Sequence, residues 1–503
     1  MCRRRAIVLL SAWGMLIGQA SAMDGGHDRR PAAPFESGLR RAIVSPGSSP
    51  ERLRLSDRMA HYNVPGLSVA IIRDCRVAFT RGYGVRERGL RKRDRDTIKT
   101  NTIFQAASIS KPVASIAALR LVEQGKLGLD ADITAAMRGW SLPDSELTRK
   151  HPVTLRLLLS HGAGLTVHGF GGYPAGQRVP SIQQILDGKP PANSEAVRVD
   201  QVPGSKFKYS GGGYTVAQLL MTEATKQSFP QLMRDLVLAP AGMGSSTYEQ
   251  PLPSKMAARA ASGHRPDGTV LPGRWHTYPE MAAAGLWTTP ADLARFAIDI
   301  MRSDRGDGNA IIRQKTAKEI LRKQMGDWGL GVEVSGSDKA KAFKHGGANE
   351  GYRAYFIAFP KTCQGAAVMT NSDNGNALIR ETLRSLADTE KWPDPLKSEV
   401  RVTVPLALEA RARIVGSYRL VEDPSATIEV AEDPRGHLAL SVAGSPGIEL
   451  TASSATQLFS ADDGRVVEVS SEDAGAARTL TIEMPGGVRY KAERIRSQNQ
   501  GNL

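Results

Sequence analysis

Residues 104–127 read FQAASISKPVASIAALRLVEQGKL, and the rest of the chain has to be understood around them. From Ser108 onward apolar residues recur at Val113, Ile116, Ala117, Leu119 and Leu121, which is the spacing of one helical face. Gly125 ends the run, as a residue free to take the left-handed turn at a helix C-terminus does. So dense an apolar face predicts a deeply buried helix. Its first turn carries Ser108 and Lys111, three residues apart and therefore on one side. A serine hydroxyl is a weak nucleophile at neutral pH and needs a base. A lysine withdrawn from water becomes one, because burial disfavours its charged form. The helix start also favours negative charge developing beside it. Ser-x-x-Lys alone occurs by chance on many solvated helices, so the flanking sequence has to decide.

Working outward, GLSVAIIRD (66–74) and RVAFTRGYGV (76–85) are β-rich runs around a short polar break, a hairpin. Gly66-Leu67-Ser68-Val69-Ala70 superficially matches a nucleophile elbow, but it lies inside a strand with no helix after it. Downstream, helices are expected at 155–160, closed by Gly162, at 214–225, and after Thr289-Pro290-Ala291-Asp292, where a threonine cap precedes a proline in the first turn. Strand character returns at 351–360 and 365–371, followed by the helical run ALIRETLRSLADTEKW. Beyond residue 411 short alternating runs such as ATIEVAED, HLALSVAG and TLTIEMPG follow closely, which reads as a separate small barrel or sandwich. The fold class is therefore α+β: an antiparallel sheet flanked by helices, with an all-α insert and a small C-terminal all-β domain.

The 503 residues are 41% hydrophobic and 23% charged, proportions of a globular protein. MCRRRAIVLLSAWGMLIGQASA (1–22) has a basic start, an apolar run and small residues at its end, as a cleavable secretory signal does. A periplasmic or secreted protein is expected. Cys2 precedes the apolar run and would be lost with it, and the formal charge would fall from +15 to +12. The densest basic run, residues 86–96, is interrupted by acids and has no aromatics to stack on bases. It reads as a solvated loop, not a nucleic-acid site, with attraction to an anionic envelope surface as the milder consequence. Cys75 and Cys363 are left, without C-x-x-C or His-Glu-x-x-His spacing, so neither metal nor cofactor is expected. His161 and His168 lack a metal-like spacing and read as structural. The expected divisions are a signal at 1–22, a flexible Gly/Pro/Ser-rich lead-in at 23–50, a main domain at 51–392, a linker at 393–410 containing WPDPLKSEV, and the β-domain at 411–503.

Two more constellations follow Ser108 in order: Tyr209-Ser210-Gly211 within PGSKFKYSGGGYTVAQLL, and Lys344-His345-Gly346-Gly347-Ala348 just before the return strands. With LLLSHGAGL, LAPAGMGSSTY, AAGLWTTPADLARF and HGGANEGYRAYF, the chain from about residue 55 to about residue 390 resembles the serine β-lactamase and D-peptidase superfamily of class C type. The resemblance implies an acyl-accepting Ser108, with Lys111 as its proton partner. It implies Tyr209 as a general base whose phenolate Lys111 stabilises, and His345 on the opposite wall. It also implies an oxyanion hole from the backbone N–H groups of Ser108 and Ala348, with Ser210, Gly211, Gly346 and Gly347 facing substrate. Gly211 stands where many members have asparagine, and His345-Gly346-Gly347 where lactamases have Lys-Thr-Gly. Both departures weaken recognition of a penicillin-like acid. An esterase, D-aminopeptidase or D,D-peptidase-like hydrolase of small esters, amides or peptides is expected first, with β-lactam turnover as a side activity. A non-catalytic penicillin-binding or receptor-type envelope protein is the alternative. The resembled fold sets the 66–85 hairpin beside the last strand, bringing Cys75 toward Cys363. A disulfide is then reasonable, with two free thiols as the alternative.

Overall fold

In strand β2 (Gly66–Arg73) every residue but the last is buried. Leu67, Val69 and Ile71 pack into one core, while Ala70 and Ile72 pack into another. A strand that is apolar on both faces must lie in the middle of a layered structure, and its neighbours follow from that. The computed structural model describes residues 33–49, 51–89, 96–307, 311–433, 436–442, 445–470, 478–485 and 487–495. The expected signal at 1–22 lies outside the described residues.

In chain order the elements that position the site are β1 (Ile43–Val44), α1 (Leu55–His61), β2, β3 (Arg76–Gly84), α2 (Ser110–Glu123), α3 (Gly211–Thr225), α4 (Pro290–Arg305), β4 (Glu333–Ser335), β5 (Ala342–Asn349), β6 (Tyr352–Phe359), β7 (Gln364–Thr370) and α5 (Gly375–Thr389). The sheet runs β3-β2-β7-β6-β5-β4, antiparallel throughout. On one face lies the large helical core with α2, α3 and α4, and on the other a smaller core with α5. The Thr289 hydroxyl accepts the Asp292 N–H at 3.2 Å, and α4 then runs from Pro290 to a left-handed Gly306. The Cys75 and Cys363 sulfurs are bonded at a Cα–Cα distance of 4.9 Å, joining the β2–β3 turn to the β6–β7 turn.

After β8 (Glu399–Val400) and α6 (Leu408–Ile414) come eight strands, β9 (Gly416–Leu420), β10 (Thr427–Glu432), β11 (Leu438–Val442), β12 (Ile448–Ala452), β13 (Gln457–Phe459), β14 (Val466–Ser470), β15 (Thr479–Glu483) and β16 (Arg489–Arg494). Each pairs with the next and β16 closes on β9, so the all-β domain is a closed barrel. Tyr418, Leu440, Val467, Leu480 and Ala492 fill its interior and are wholly buried. A small barrel packed this way has a solid core, not a lumen.

Three boundaries differ from the sequence reading. Ordered packing begins well before Glu51: Phe35 and Leu39 are buried in the core beneath α5. The buried Arg40 guanidinium donates to Asp388 at 3.0 Å and to the Pro395 carbonyl at 2.8 Å. Three anchors outweigh the turn-rich composition around them. The supposed linker is tied down as well, since β8 pairs in parallel with β1. Residues 408–414, where strand texture was expected to start, form a helix.

Barrel and sheet domain are joined through a buried charge cluster. Arg58 on α1 donates to both Glu381 oxygens on α5 at 2.8 Å and to Asp462 of the barrel at 2.7 Å. Tyr62 donates to Glu381 at 2.8 Å, and His61 meets Asp462 at 2.6 Å. Burial pushes the Asp462 carboxyl up, but His61, Arg58 and Arg41 outweigh it and hold it below the usual range. The stabilisation is therefore present at neutral pH and lost as pH falls through that depressed value. Asp462→Asn is expected to destabilise the protein by about 3 kcal/mol at pH 7, with the difference shrinking in acid; urea titrations at both pH values measure it. Mass spectrometry without reductant is expected to find neither Cys75 nor Cys363 alkylated.

Candidate active site

Ser108 lies in a single 3₁₀ turn (Ala107–Ile109) that leads into α2. Ala107 before it has φ +50°, a left-handed conformation that costs a residue with a Cβ about 1–2 kcal/mol. That kink turns the half-buried Ser108 toward a cleft while α2 buries almost every other side chain. Lys111, one turn on, is 1% exposed. Its Nζ donates to Ser108 Oγ at 3.0 Å and to the Ala283 carbonyl at 2.9 Å. Removal from water pushes this amine down to about 7.

The opposite wall is the edge of β5. Because β4 pairs only with Ala342–Lys344, the edge from His345 to Asn349 is left to face the Ser108 turn. The two backbones meet at Gly347, where a Cβ would lie 2.1 Å from the Ala106 carbonyl oxygen. Only a residue without a side chain allows this crossing. Ser108, Lys111, Tyr209, His345, Gly346, Gly347 and Ala348 thus share one cleft of about 460 Å³.

Tyr209 enters from the chain just before α3, with its ring centroid 5.0 Å from Lys111 Nζ. Burial pushes its phenol well up, opposed in part by a hydrogen bond with the Ser108 hydroxyl. That burial disfavours the phenolate, the form in which the sequence reading expected Tyr209 to act as base. His345 is 3% exposed, and burial with the neighbouring Lys111 charge pushes it down to about 3. Its Nδ1 sits 2.5 Å from the Gly346 carbonyl and must donate there, while the buried Nε2 has no hydrogen-bond partner among the described residues. The ring is therefore neutral, with Nε2 a buried acceptor in the wall of the cleft.

Two expected substrate contacts are not brought to the cleft. The Ser210 hydroxyl caps α3, accepting the Gly213 N–H at 2.9 Å and donating to the Thr166 carbonyl at 2.7 Å. Gly211 is buried beneath the 168–170 segment, and a Cβ there would lie 3.1 Å from both the His168 carbonyl and the Phe170 ring. The sequence reading also missed residues. His161 and His168, taken as structural, flank the phenol: His161 stacks on Tyr209 at 4.2 Å and His168 lies tilted at 4.8 Å. His161 accepts the Ser210 N–H at Nδ1, and burial together with the Lys111 charge holds it far below the ordinary range. Trp328 packs edge-on to both His161 and His345. Its one sequence signal was a lone aromatic in the glycine-rich GDWGLG. Among the described residues no three His, Cys, Asp or Glu side chains group as a metal ion requires.

Residues 53–391 match the family described as Beta-lactamase. The chain belongs to the beta-lactamase family. Within it, the chain is 25% identical over 343 residues to Penicillin-binding protein 4 of Amycolatopsis lactamdurans, covering 65% of this chain and 85% of that protein. It is 23% identical over 381 residues to Penicillin-binding protein 4* of Bacillus subtilis, covering 72% and 81%. The octameric penicillin-binding protein homologue from Pyrococcus abyssi superposes with a TM-score of 0.58 at 20% identity, over 87% of this chain and 98% of that one. D-amino acid amidase from Ochrobactrum anthropi SV3 does so at 0.54 and 20%, over 67% and 98%. At these identities the structural likeness speaks for the fold alone. In this beta-lactamase-family cleft, Gly347→Ala must push β5 away from Ser108. Labelling of Ser108 by a fluorophosphonate is expected to slow at least ~100-fold, the scale of a lost oxyanion donor, while circular dichroism stays unchanged.

Proposed function

We propose that the protein is an exported serine hydrolase that cleaves neutral ester or amide bonds through an acyl-enzyme on Ser108. The observation that carries this is the Lys111 amine, 3.0 Å from the Ser108 hydroxyl and brought down to about 7 by burial. At neutral pH a large share of it is unprotonated and able to take the hydroxyl proton. Ser108 Oγ then attacks the carbonyl carbon, and the oxyanion is held by the backbone N–H groups of Ser108 and Ala348. The proton passes through the Tyr209 phenol to the leaving group as the scissile bond breaks. Water enters by the reverse route: it gives a proton to Lys111 as it attacks the acyl carbon, and Lys111 returns that proton to Ser108 Oγ as the acyl–oxygen bond breaks and the acid leaves.

The substrate preference rests on what the cleft offers. His345 is neutral, so this wall supplies no positive charge for a substrate carboxylate and suits an uncharged group instead. Lys344 is paired with Glu333 at 3.1 Å and does not line the cleft. Gly211 supplies no side chain for a substrate amide. A panel of p-nitrophenyl esters, D-amino acid amides and nitrocefin is expected to show ester or amide turnover exceeding nitrocefin turnover at least tenfold. Acylation by penicillin with no turnover of any substrate would favour a receptor-type protein instead.

Since the free amine is the active form, kcat/KM should climb as pH rises through about 7. Lys111→Ala should lose at least ~100-fold, and Ser108→Ala should abolish covalent labelling. A profile flat from pH 5 to 8 would remove Lys111 from the role of base.

A further inference from the structure

A second cavity, also of about 460 Å³, lies where the barrel meets the sheet domain. Asn376 and Arg380, near the start of α5, line both this cavity and the Ser108 cleft, so the two spaces adjoin along one helix. Their walls differ in character. The sheet domain contributes polar groups, among them Asn374, Asn376 and Arg380. The barrel contributes Val442, Ile448, Met484, Pro485, Val488 and Tyr490. Its acids there are already engaged: Asp462 with Arg58, and Asp463 with Arg465 at 2.5 Å. Val488 is 53% and Tyr490 37% exposed, large apolar side chains held open at the rim. Exposed apolar surface gathered in a concavity marks a binding site. The barrel's own interior is filled by buried side chains such as Leu440, Val467 and Leu480.

We infer that the barrel completes the substrate site: the second cavity takes an alkyl chain or apolar ring of a substrate whose scissile ester or amide lies at Ser108. This rests on the hydrolase reading of the cleft. The chemistry that fits is an elongated molecule with a polar reacting end and an apolar far end, spanning α5 at Asn376 and Arg380. The barrel then sets chain-length selectivity and leaves bond cleavage to the sheet domain.

The test compares short and long substrates in two series, p-nitrophenyl acetate against octanoate, and ethyl acetate against octyl acetate, so that the chain is carried on either side of the ester. In the full-length protein the octyl member of at least one series is expected to have a KM lower by about tenfold or more. Val488→Asp and Tyr490→Asp change exposed side chains and should erase that advantage, leaving kcat/KM for the short esters within about twofold, which also reports that the protein is folded. No dependence on chain length, or a dependence that survives both substitutions, would overturn the inference. A calorimetric titration of Ser108→Ala with N-octylacetamide and N-ethylacetamide needs no turnover. If the octyl compound binds tighter there, Val488→Asp abolishes the difference, and the unsubstituted protein cleaves no ester, the cavity assignment stands while the hydrolase reading falls.

Discussion

The chemistry proposed for this molecule depends on keeping one amine dry. An exposed lysine is protonated at neutral pH and useless as a base; Lys111 differs because α2 is buried along nearly its whole length and, among the described residues, two acceptors, the Ser108 hydroxyl and the Ala283 carbonyl, reach its Nζ. Two acceptors are enough to hold the group but too few to replace a full hydration shell, so the neutral form gains. The rings of Tyr209 and Tyr214, with centroids 5.0 Å and 5.8 Å from Nζ, occupy space that water would otherwise take. His161 and His345 are pushed toward neutrality by the same burial and by the lysine itself. The groups around the amine are therefore held in their neutral forms, and Lys111 alone among them is brought near neutral pH.

Around that point the architecture is a matter of approach distances. A sheet edge can serve as the far wall only if it comes within contact of the reactive turn, and Gly347 against Ala106 is where it does. The left-handed Ala107 supplies the matching kink from the other side. The buried Arg58, Glu381 and Asp462 cluster does for the two domains what this crossing does for the cleft. Buried ion pairs seldom add much net stability, since desolvation offsets most of the attraction. Their geometric demands are strict, however, and this cluster fixes where the barrel sits relative to α5.

Much of this was legible in the sequence where the signal is local. The 66–85 hairpin, the buried helix after Ser108 and the Thr289-capped helix are all set by periodicity and capping within a few residues, and each was readable to within a few positions. Contacts between distant segments were not. Phe35, Leu39 and Arg40 sit in a turn-rich stretch, and nothing beside them announces that α5 and residues 395–398 will hold them. Ser210 was misassigned for a similar reason: a serine that caps a helix and one that meets a substrate look identical until the helix start is located. His161, His168 and Trp328 are single residues without informative spacing, and only the fold gathers them around one phenol.

The short parallel pairing of β1 with β8 sets Ile43 against Glu399 and Val44 against Val400. A growing polypeptide delivers the first of these strands long before the second exists. Until the ribosome has made the whole sheet domain, the strand it pairs with in β8 does not exist, although Phe35, Leu39 and Arg40 can already dock against α5. The order of synthesis thus makes this pairing a late event, a clasp that can shut once the sheet domain is complete and before the barrel strands are made.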